Sequence, residues 1–345
     1  MKKKVAFLLG LVFLVTLLSF GLIKFGGEGG FLRPTDLGNL QKERPLQKYS
    51  FASLSKREYS GDEIKLEKIL KEEKTYTSWL FSFQSDGKRV TGMLNLPKYS
   101  RSTPALPAGR RGTLATRDTF PVIVMLRGYA DDEIYFTGLG TRKAAGVFAE
   151  NSFITLAPDF LGFGSSNSPP EDILEARFER PVTVLNLLAS VKTLPSADPE
   201  RIFLWAHSNG GQIALSVLEI SGKDYLTTLW APVTRGFPES VLDYIGEMDD
   251  KGKKVTDRIF EFEKYYDPKE FSIDNYFAQI QAPLLVQQGG GDLLVKQAWT
   301  DEFVGKMKSL GKDITYFVYP SADHNLNPNW DTAVARDLEF FKNFL

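Results

Sequence analysis

The segment Arg201-Ile-Phe-Leu-Trp-Ala-His-Ser-Asn-Gly-Gly-Gln-Ile-Ala-Leu215 constrains the fold more than any other stretch of this chain. A short apolar strand, Ile202 to Trp205, runs into a small-x-Ser-x-Gly turn, and a helix of apolar periodicity follows at once. Such a strand–turn–helix holds a serine hydroxyl out at the end of a sheet. The turn brings the strand and helix backbones too close for branched side chains, so its flanks must be small. Gly210 and Gly211 meet that need, and Ala206 stands where glycine is commoner. Ser208 is the candidate nucleophile.

An activated serine needs a base poised near neutral pH, and histidine is the usual one. The chain has two histidines. His207 precedes Ser208, and side chains of adjacent residues on a tight turn diverge, which leaves His324 as the base. It lies in a loop after an expected strand, Ile314 to Tyr319, and before the last helix. The orienting carboxylate should follow another strand end between the serine and the histidine. Leu284 to Gln287 is such a strand, and Gly289 to Gly291 break it just before Asp292. The other reading of Asp292 is a helix-capping residue on a glycine turn. Asp323 competes for the role, but its place next to His324 makes a bond between the two side chains geometrically poor. An oxyanion hole would take one N–H from Asn209, after the nucleophile, and one from the loop after an earlier strand. The apolar run from Phe120 to Leu126 reads as that strand, broken at Gly128, which makes the Tyr129 N–H the second candidate donor.

The region from about Thr75 to Leu345 resembles the catalytic domain of the prolyl oligopeptidase family of serine peptidases, which has the α/β-hydrolase fold. Five segments carry the resemblance in order. Trp79 to Pro97, with its Asp86-Gly87 turn, is similar to the family's opening hairpin, and Ile154 to Ser165 to its Pro-Asp-x-x-Gly-x-Gly loop. Asp198 to Gly211 is similar to its nucleophile segment. Gln288 to Asp292 sits where the family often has His-Gly-x-x-Asp, and His324 follows at the expected place. The resemblance implies a Ser-His-Asp acyl-transfer enzyme with no cofactor or metal, acting on small peptides. Carboxylesters are the alternative substrate, and a non-catalytic binding module on the same fold is a reading from a different class. The chain departs from the pattern in three ways. Arg127-Gly128-Tyr129 replaces His-Gly-Gly, leaving open whether the Tyr129 hydroxyl is a further donor or only lines the pocket. Ala206 and Gln288 replace a usual glycine and histidine, with little catalytic consequence expected. The peptidases best known in the family carry a β-propeller, yet only about fifty residues lie between the N-terminal apolar run and Thr75. No propeller fits there, and no blade-length repeat is visible.

Organisation along the chain agrees. With 345 residues, 43% of them apolar, the chain can bury a full core. A net charge of −1 gives no footprint for nucleic acid. The absence of cysteine and the two histidines argue against a zinc or iron–sulfur site. Lys2 to Lys4 precede nineteen uncharged residues, Val5 to Ile23. As a helix these span about 28 Å, near the roughly 30 Å of a bilayer core. Residues 1–24 therefore read as a membrane anchor that sends the rest outside the cytoplasm, the rival being a cleaved signal peptide and secretion. Residues 25–74 read as a linker, with a Gly/Pro-bearing tether to about residue 48 and a charged flanking helix over Glu63 to Glu73. Residues 75–345 form the catalytic domain, with a hydrophilic insertion at 98–118. Strands alternating with helices, including helices near Arg142 to Glu150 and Val182 to Lys192, predict a mainly parallel, doubly wound sheet.

A short helical cap is expected at about 233–279. It is rich in aromatic residues, which either form an apolar pocket for a substrate side chain or acyl group or pack the cap against the sheet. Asp131 and Asp132, just past the oxyanion strand, could receive a substrate's cationic amine or form a solvated turn.

Overall fold

The turn Asp86-Gly87 organises the first part of the sheet. Both residues have positive φ, 50° and 75°, as required by a two-residue turn whose twist matches the strands it joins. In this computed structural model, residues 44–98, 119–248 and 250–345 are described. Leu46–Leu345 form one compact unit. Its strands are β1 (Lys65–Glu72), β2 (Tyr76–Ser85), β3 (Lys88–Pro97), β4 (Phe120–Leu126), β5 (Ile154–Pro158), β6 (Ala197–His207), β7 (Thr227–Trp230), β8 (Leu284–Gly289) and β9 (Ile314–Tyr319). They lie in the order β1-β2-β3-β5-β4-β6-β7-β8-β9. The first three pair antiparallel, and β3 pairs antiparallel with β5. From β5 to β9 every pair is parallel.

Strand β1 corrects the helix expected over Glu63 to Glu73. The spacing of Ile64, Leu66, Ile69 and Leu70 suits a helix, but the segment pairs with β2 through register shifts between Leu66 and Lys68 and between Ile69 and Lys71. Those irregularities accommodate apolar residues that do not alternate strictly. The strand's lysines and glutamates line the sheet edge, where charge discourages pairing with another chain.

The longer helices among the described residues are α1 (Arg142–Glu150), α2 (Ile173–Ser190), α3 (Asn209–Ser221), α4 (Lys253–Glu263), α5 (Gln297–Ser309) and α6 (Trp330–Lys342). Helix α2 starts at Ile173, where Asp172 caps it by accepting from the Leu174 N–H at 2.9 Å, and not at the expected Val182. Pro181 sits inside it. A proline normally marks a helix start or break, yet here the helix runs through it. The core divides by strand alternation. Val122, Val124 and Leu126 of β4 join a cluster with α2, α3 and the cap, while Ile123 and Met125 join one with α1 and α6. Both faces of β4 are thus fully covered, as a parallel strand needs.

The cap consists of α4 and short helical turns. Phe237, Phe262, Tyr266, Phe271 and Phe277 are buried in the core, whereas Phe260 and Tyr265 face solvent. Most of the aromatic residues therefore fasten the cap to the body. Among the described residues no helix is long and apolar enough to cross a membrane. The run Val5 to Ile23, on which the expected anchor rests, lies outside the described residues, as does residues 99–118 of the hydrophilic insertion.

Candidate active site

Ser208 stands between the end of β6 and the start of α3 with φ 56° and ψ −124°. For a non-glycine residue that backbone costs on the order of 1–3 kcal/mol and persists only where its surroundings dictate it. They do so here. The Ser208 N–H donates to the Trp230 carbonyl at 2.9 Å, and its carbonyl accepts from the N–H groups of Gly211 and Val233 at 2.9 and 3.0 Å. A Cβ on Gly210 would fall on the Leu126 and Arg127 carbonyls at the end of β4, so this position must be glycine. One on Gly128 would lie 2.9 Å from Ser208 Cβ and 3.3 Å from its Oγ. The loop after β4 thus presses against the serine, because β4 and β6 are parallel neighbours whose carboxyl ends share one rim. Asn209 opens α3, where the first N–H groups of a helix have no partner within it.

The turn after β8 meets the loop after β9 at the same rim. Gly290 and Gly291 donate their N–H groups to the Tyr319 and Ala322 carbonyls at 2.7 and 2.9 Å. This sets Asp292 opposite His324, whose Nδ1 donates to Asp292 Oδ2 at 2.8 Å. The Asp292 side chain is fully buried, and that of His324 is 13% exposed. Burial raises the carboxyl pKa, but hydrogen bonds from His324 and from the Val295 and Leu294 N–H groups outweigh it, so Asp292 ends below its usual value and ionised. An ionised carboxylate can only accept, so in the neutral imidazole the proton is on Nδ1 and Nε2 is the nitrogen able to act as a base.

Two contacts were not expected from the sequence. Gln288 is more than a silent replacement for histidine. Its Nε2 donates to Asp292 Oδ2 at 3.2 Å, and its Oε1 accepts from the Thr300 hydroxyl at 2.8 Å. It therefore shares Asp292 Oδ2 with His324, while the Leu294 and Val295 N–H groups hold Oδ1. His207, set aside as a base, donates from Nε2 to the His324 carbonyl at 2.9 Å, with the two rings 4.6 Å apart. The residue before Ser208 thereby anchors the loop that carries His324. The Ser208 hydroxyl makes no hydrogen bond with a described residue, in keeping with catalytic contacts that tighten only around substrate. Asp323 accepts from the Asn325 and Asn327 N–H groups at 2.9 and 2.8 Å, closing its own turn.

Tyr129 is 77% exposed. Its hydroxyl is engaged by Asp131, which raises its pKa. Arg127, just before Gly128, lies over the rings of Tyr135 and Phe163 and donates to the Gly128 and Asp159 carbonyls at 2.9 and 3.2 Å. Asp159, of the Pro-Asp loop, is buried and accepts from Thr91, Tyr135 and Thr137. Burial raises its pKa against those hydrogen bonds. These contacts brace the strand end that presents Gly128.

Two hollows adjoin the candidate oxyanion residues. A wide cleft of about 630 Å³ is lined by Tyr129, Asp131, Asp132, Glu133, Phe160 and Arg180, among others. A narrow pocket of about 40 Å³ runs under the cap, past Asn209, Arg177, Arg180, Phe178, Phe237 and Phe271. Two of the cap's aromatic residues thus reach a pocket after all. Neither lining includes Ser208 or His324, but each includes one candidate oxyanion residue. Among the described residues no cluster of three or more His, Asp or Glu side chains is arranged to hold a metal ion.

Residues 123–338 match the family model described as alpha/beta hydrolase family. The chain belongs to that family. No curated relative matches it in sequence. Its fold is similar to acetyl xylan esterase 1 from Thermoanaerobacterium sp. JW/SL YS485 (15% identity, TM-score 0.57), covering 90% of this chain and 99% of that one. It is similar also to the Pyrococcus horikoshii acylaminoacyl peptidase (17%, TM-score 0.56) and to a Mycobacterium tuberculosis puromycin-hydrolyzing peptidase (16%, TM-score 0.55). It covers 78% and 79% of itself in these matches but only 42% and 40% of the two peptidases. The α/β hydrolase is thus an enzyme whose structural neighbours include both esterases and peptidases.

Proposed function

We propose that this α/β hydrolase transfers acyl groups to water through Ser208, His324 and Asp292. Ser208 Oγ attacks the substrate carbonyl carbon as His324 Nε2 takes its proton. The N–H groups of Asn209 and Tyr129 donate to the oxyanion, and the imidazolium, held by Asp292, returns the proton to the leaving group. Water then attacks the acyl-serine with His324 again as base, releasing the acid and restoring the hydroxyl. The observation that carries this reading is the Asp292–His324 hydrogen bond on a loop that His207 ties to the nucleophile turn.

Small peptides are the preferred substrate class. Amide cleavage needs an acid to protonate the departing amine, which His324 supplies, and the acidic wall of Asp131 and Asp132 suits a free amino group. Carboxylesters are the second reading, favoured by the narrowness of the pocket beside Asn209. It has room for about three waters.

A fluorophosphonate should label the native chain and leave Ser208→Ala unmodified, which a non-catalytic binding module would not do. Aminoacyl anilides, blocked peptides and p-nitrophenyl esters then separate the substrate classes. If only esters turn over, the peptidase reading fails. If Asp131→Asn and Asp132→Asn leave the preference for free over blocked amino termini unchanged, the acidic wall has no role in it.

A further inference from the structure

Among the arginines packed into the described fold, Arg177 and Arg180 stand out because neither pairs with a carboxylate nor lies over an aromatic ring. Arg57, Arg89, Arg201, Arg235 and Arg258 each pair with a carboxylate. Arg127, Arg142 and Arg336 lie over aromatic rings. Arg177 donates only to neutral groups, the Gln212 amide oxygen and the Ser240 hydroxyl. Arg180 forms no hydrogen bond or ion pair with a described residue. Three residues apart on α2, the two share one helix face, and both line the narrow pocket that Asn209 closes. Burial lowers the pKa of each, Arg177 to about 10. Two half-buried guanidiniums with no paired anion lose part of their hydration without compensation, and an entering anion would make up that loss.

The neighbouring carboxyl groups do not fill that role. Glu179 is turned to the Thr183 hydroxyl and burial raises its pKa, while Asp132 is exposed on the wide cleft. Arg180 borders both hollows, but the company it keeps differs. Asp131, Asp132 and Glu133 outnumber it on the wide one, whereas the narrow one is lined by Arg177 and Arg180 and by no carboxylate.

Building on the acyl-transfer reading, we propose that the narrow pocket is a carboxylate subsite, so that the enzyme selects short acyl groups bearing a carboxylate a few carbons from the scissile carbonyl. Asn209 belongs to both the candidate oxyanion hole and the pocket wall. The group that enters the pocket is consequently the one attached to the carbonyl held there. Arginine suits the task because its planar fork matches a carboxylate with two parallel hydrogen bonds.

The test compares p-nitrophenyl hemisuccinate with p-nitrophenyl butyrate, similar in length and different in charge, on the full chain at low salt. We expect kcat/KM to favour the hemisuccinate by about tenfold or more, in line with a charge-assisted pair in a partly desolvated pocket. Arg180→Gln should remove most of that preference, chiefly by raising KM for the hemisuccinate, and Arg180→Lys should retain part of it. Equal turnover of the two esters by the native chain, or a preference that survives both Arg177→Gln and Arg180→Gln, overturns the proposal. A separate readout is the unfolding temperature in succinate. It should rise for the native chain and not for Arg180→Gln, since a ligand stabilises only a fold that binds it. That measurement needs no turnover. If Ser208 takes no fluorophosphonate and butyrate is untouched, the acyl-transfer reading falls while the anion site is still decided.

Discussion

His207 is neutral at physiological pH because of where it sits. Burial, and then the nearby His324 ring, push its pKa down to about 4 against the pull of its hydrogen bond. Its single proton is on Nε2, donated to the His324 carbonyl. The base is thereby positioned by its backbone as well as by Asp292, and His207 acts as a positioning residue. We expect His207→Ala to lower kcat by about 10- to 100-fold with KM little changed, the scale of a loss of alignment by about an ångström. His207→Gln, whose amide can donate to the same carbonyl, should recover most of the rate. Native kcat in the alanine variant would remove the role. Ser208, Asp292 and His324 could be singled out in the sequence because each is marked by local chemistry: a strained turn, a glycine break after a strand, a scarce residue type. The parts of His207 and Gln288 could not be read there. They depend on which loop packs against the elbow, a long-range contact that leaves no local trace. The one available signal for Gln288 was a long amide at the end of an otherwise apolar strand.

At the scale of elements, α3 runs from the strained turn into the core and contains an uncompensated group. Glu219 is 1% exposed, and neither of its carboxyl oxygens has a hydrogen-bond partner. Burial, with a smaller push from Asp274, raises its pKa well above the ordinary value. The folded state therefore holds a proton that the unfolded chain releases near pH 4.3. Stability from this group is complete below that pH and falls as pH rises through the window up to the folded pKa. Glu219→Met keeps the volume and removes the ionisation. It should flatten that part of the pH–stability curve and raise the unfolding temperature at pH 8, each ~1 kcal/mol being worth ~2–4 °C in a domain of this size. An unchanged curve would place the titration elsewhere. Asp337, also buried and raised, is a different case. It accepts from the Trp205 and Trp230 indoles and from Gln287, and so ties α6 to three strands. Elements with one strong periodicity, such as β4 and α1, could be delimited in sequence. Strand β1 could not, because its pairing with β2 is irregular and its face toward the edge is charged.

For the whole molecule, the parallel sheet gathers at one rim groups from the ends of four strands, β4, β6, β8 and β9, and that arrangement follows from alternation of strands and helices alone. What the alternation does not convey is where the chain works. Everything singled out at the candidate site lies within the unit Leu46–Leu345, whereas the signal for location lies in Lys2 to Ile23. The two are therefore separable by experiment. We propose that the N-terminal run holds the catalytic unit on the outer side of a membrane, through its positive flank and near-bilayer length. In a bacterial host the full chain should sediment with membranes, resist carbonate extraction and be digested by protease added to spheroplasts. A variant starting at residue 25 should stay in the cytosol with kcat per labelled Ser208 close to that of the full chain. Recovery of a shortened chain in the periplasm would favour cleavage, and recovery of the intact chain in the cytosol would end the proposal. If removal of residues 1–24 also abolished fluorophosphonate labelling, the independence of the catalytic unit would fail along with it, because every group assigned to acyl transfer would then need a segment outside the fold that holds it.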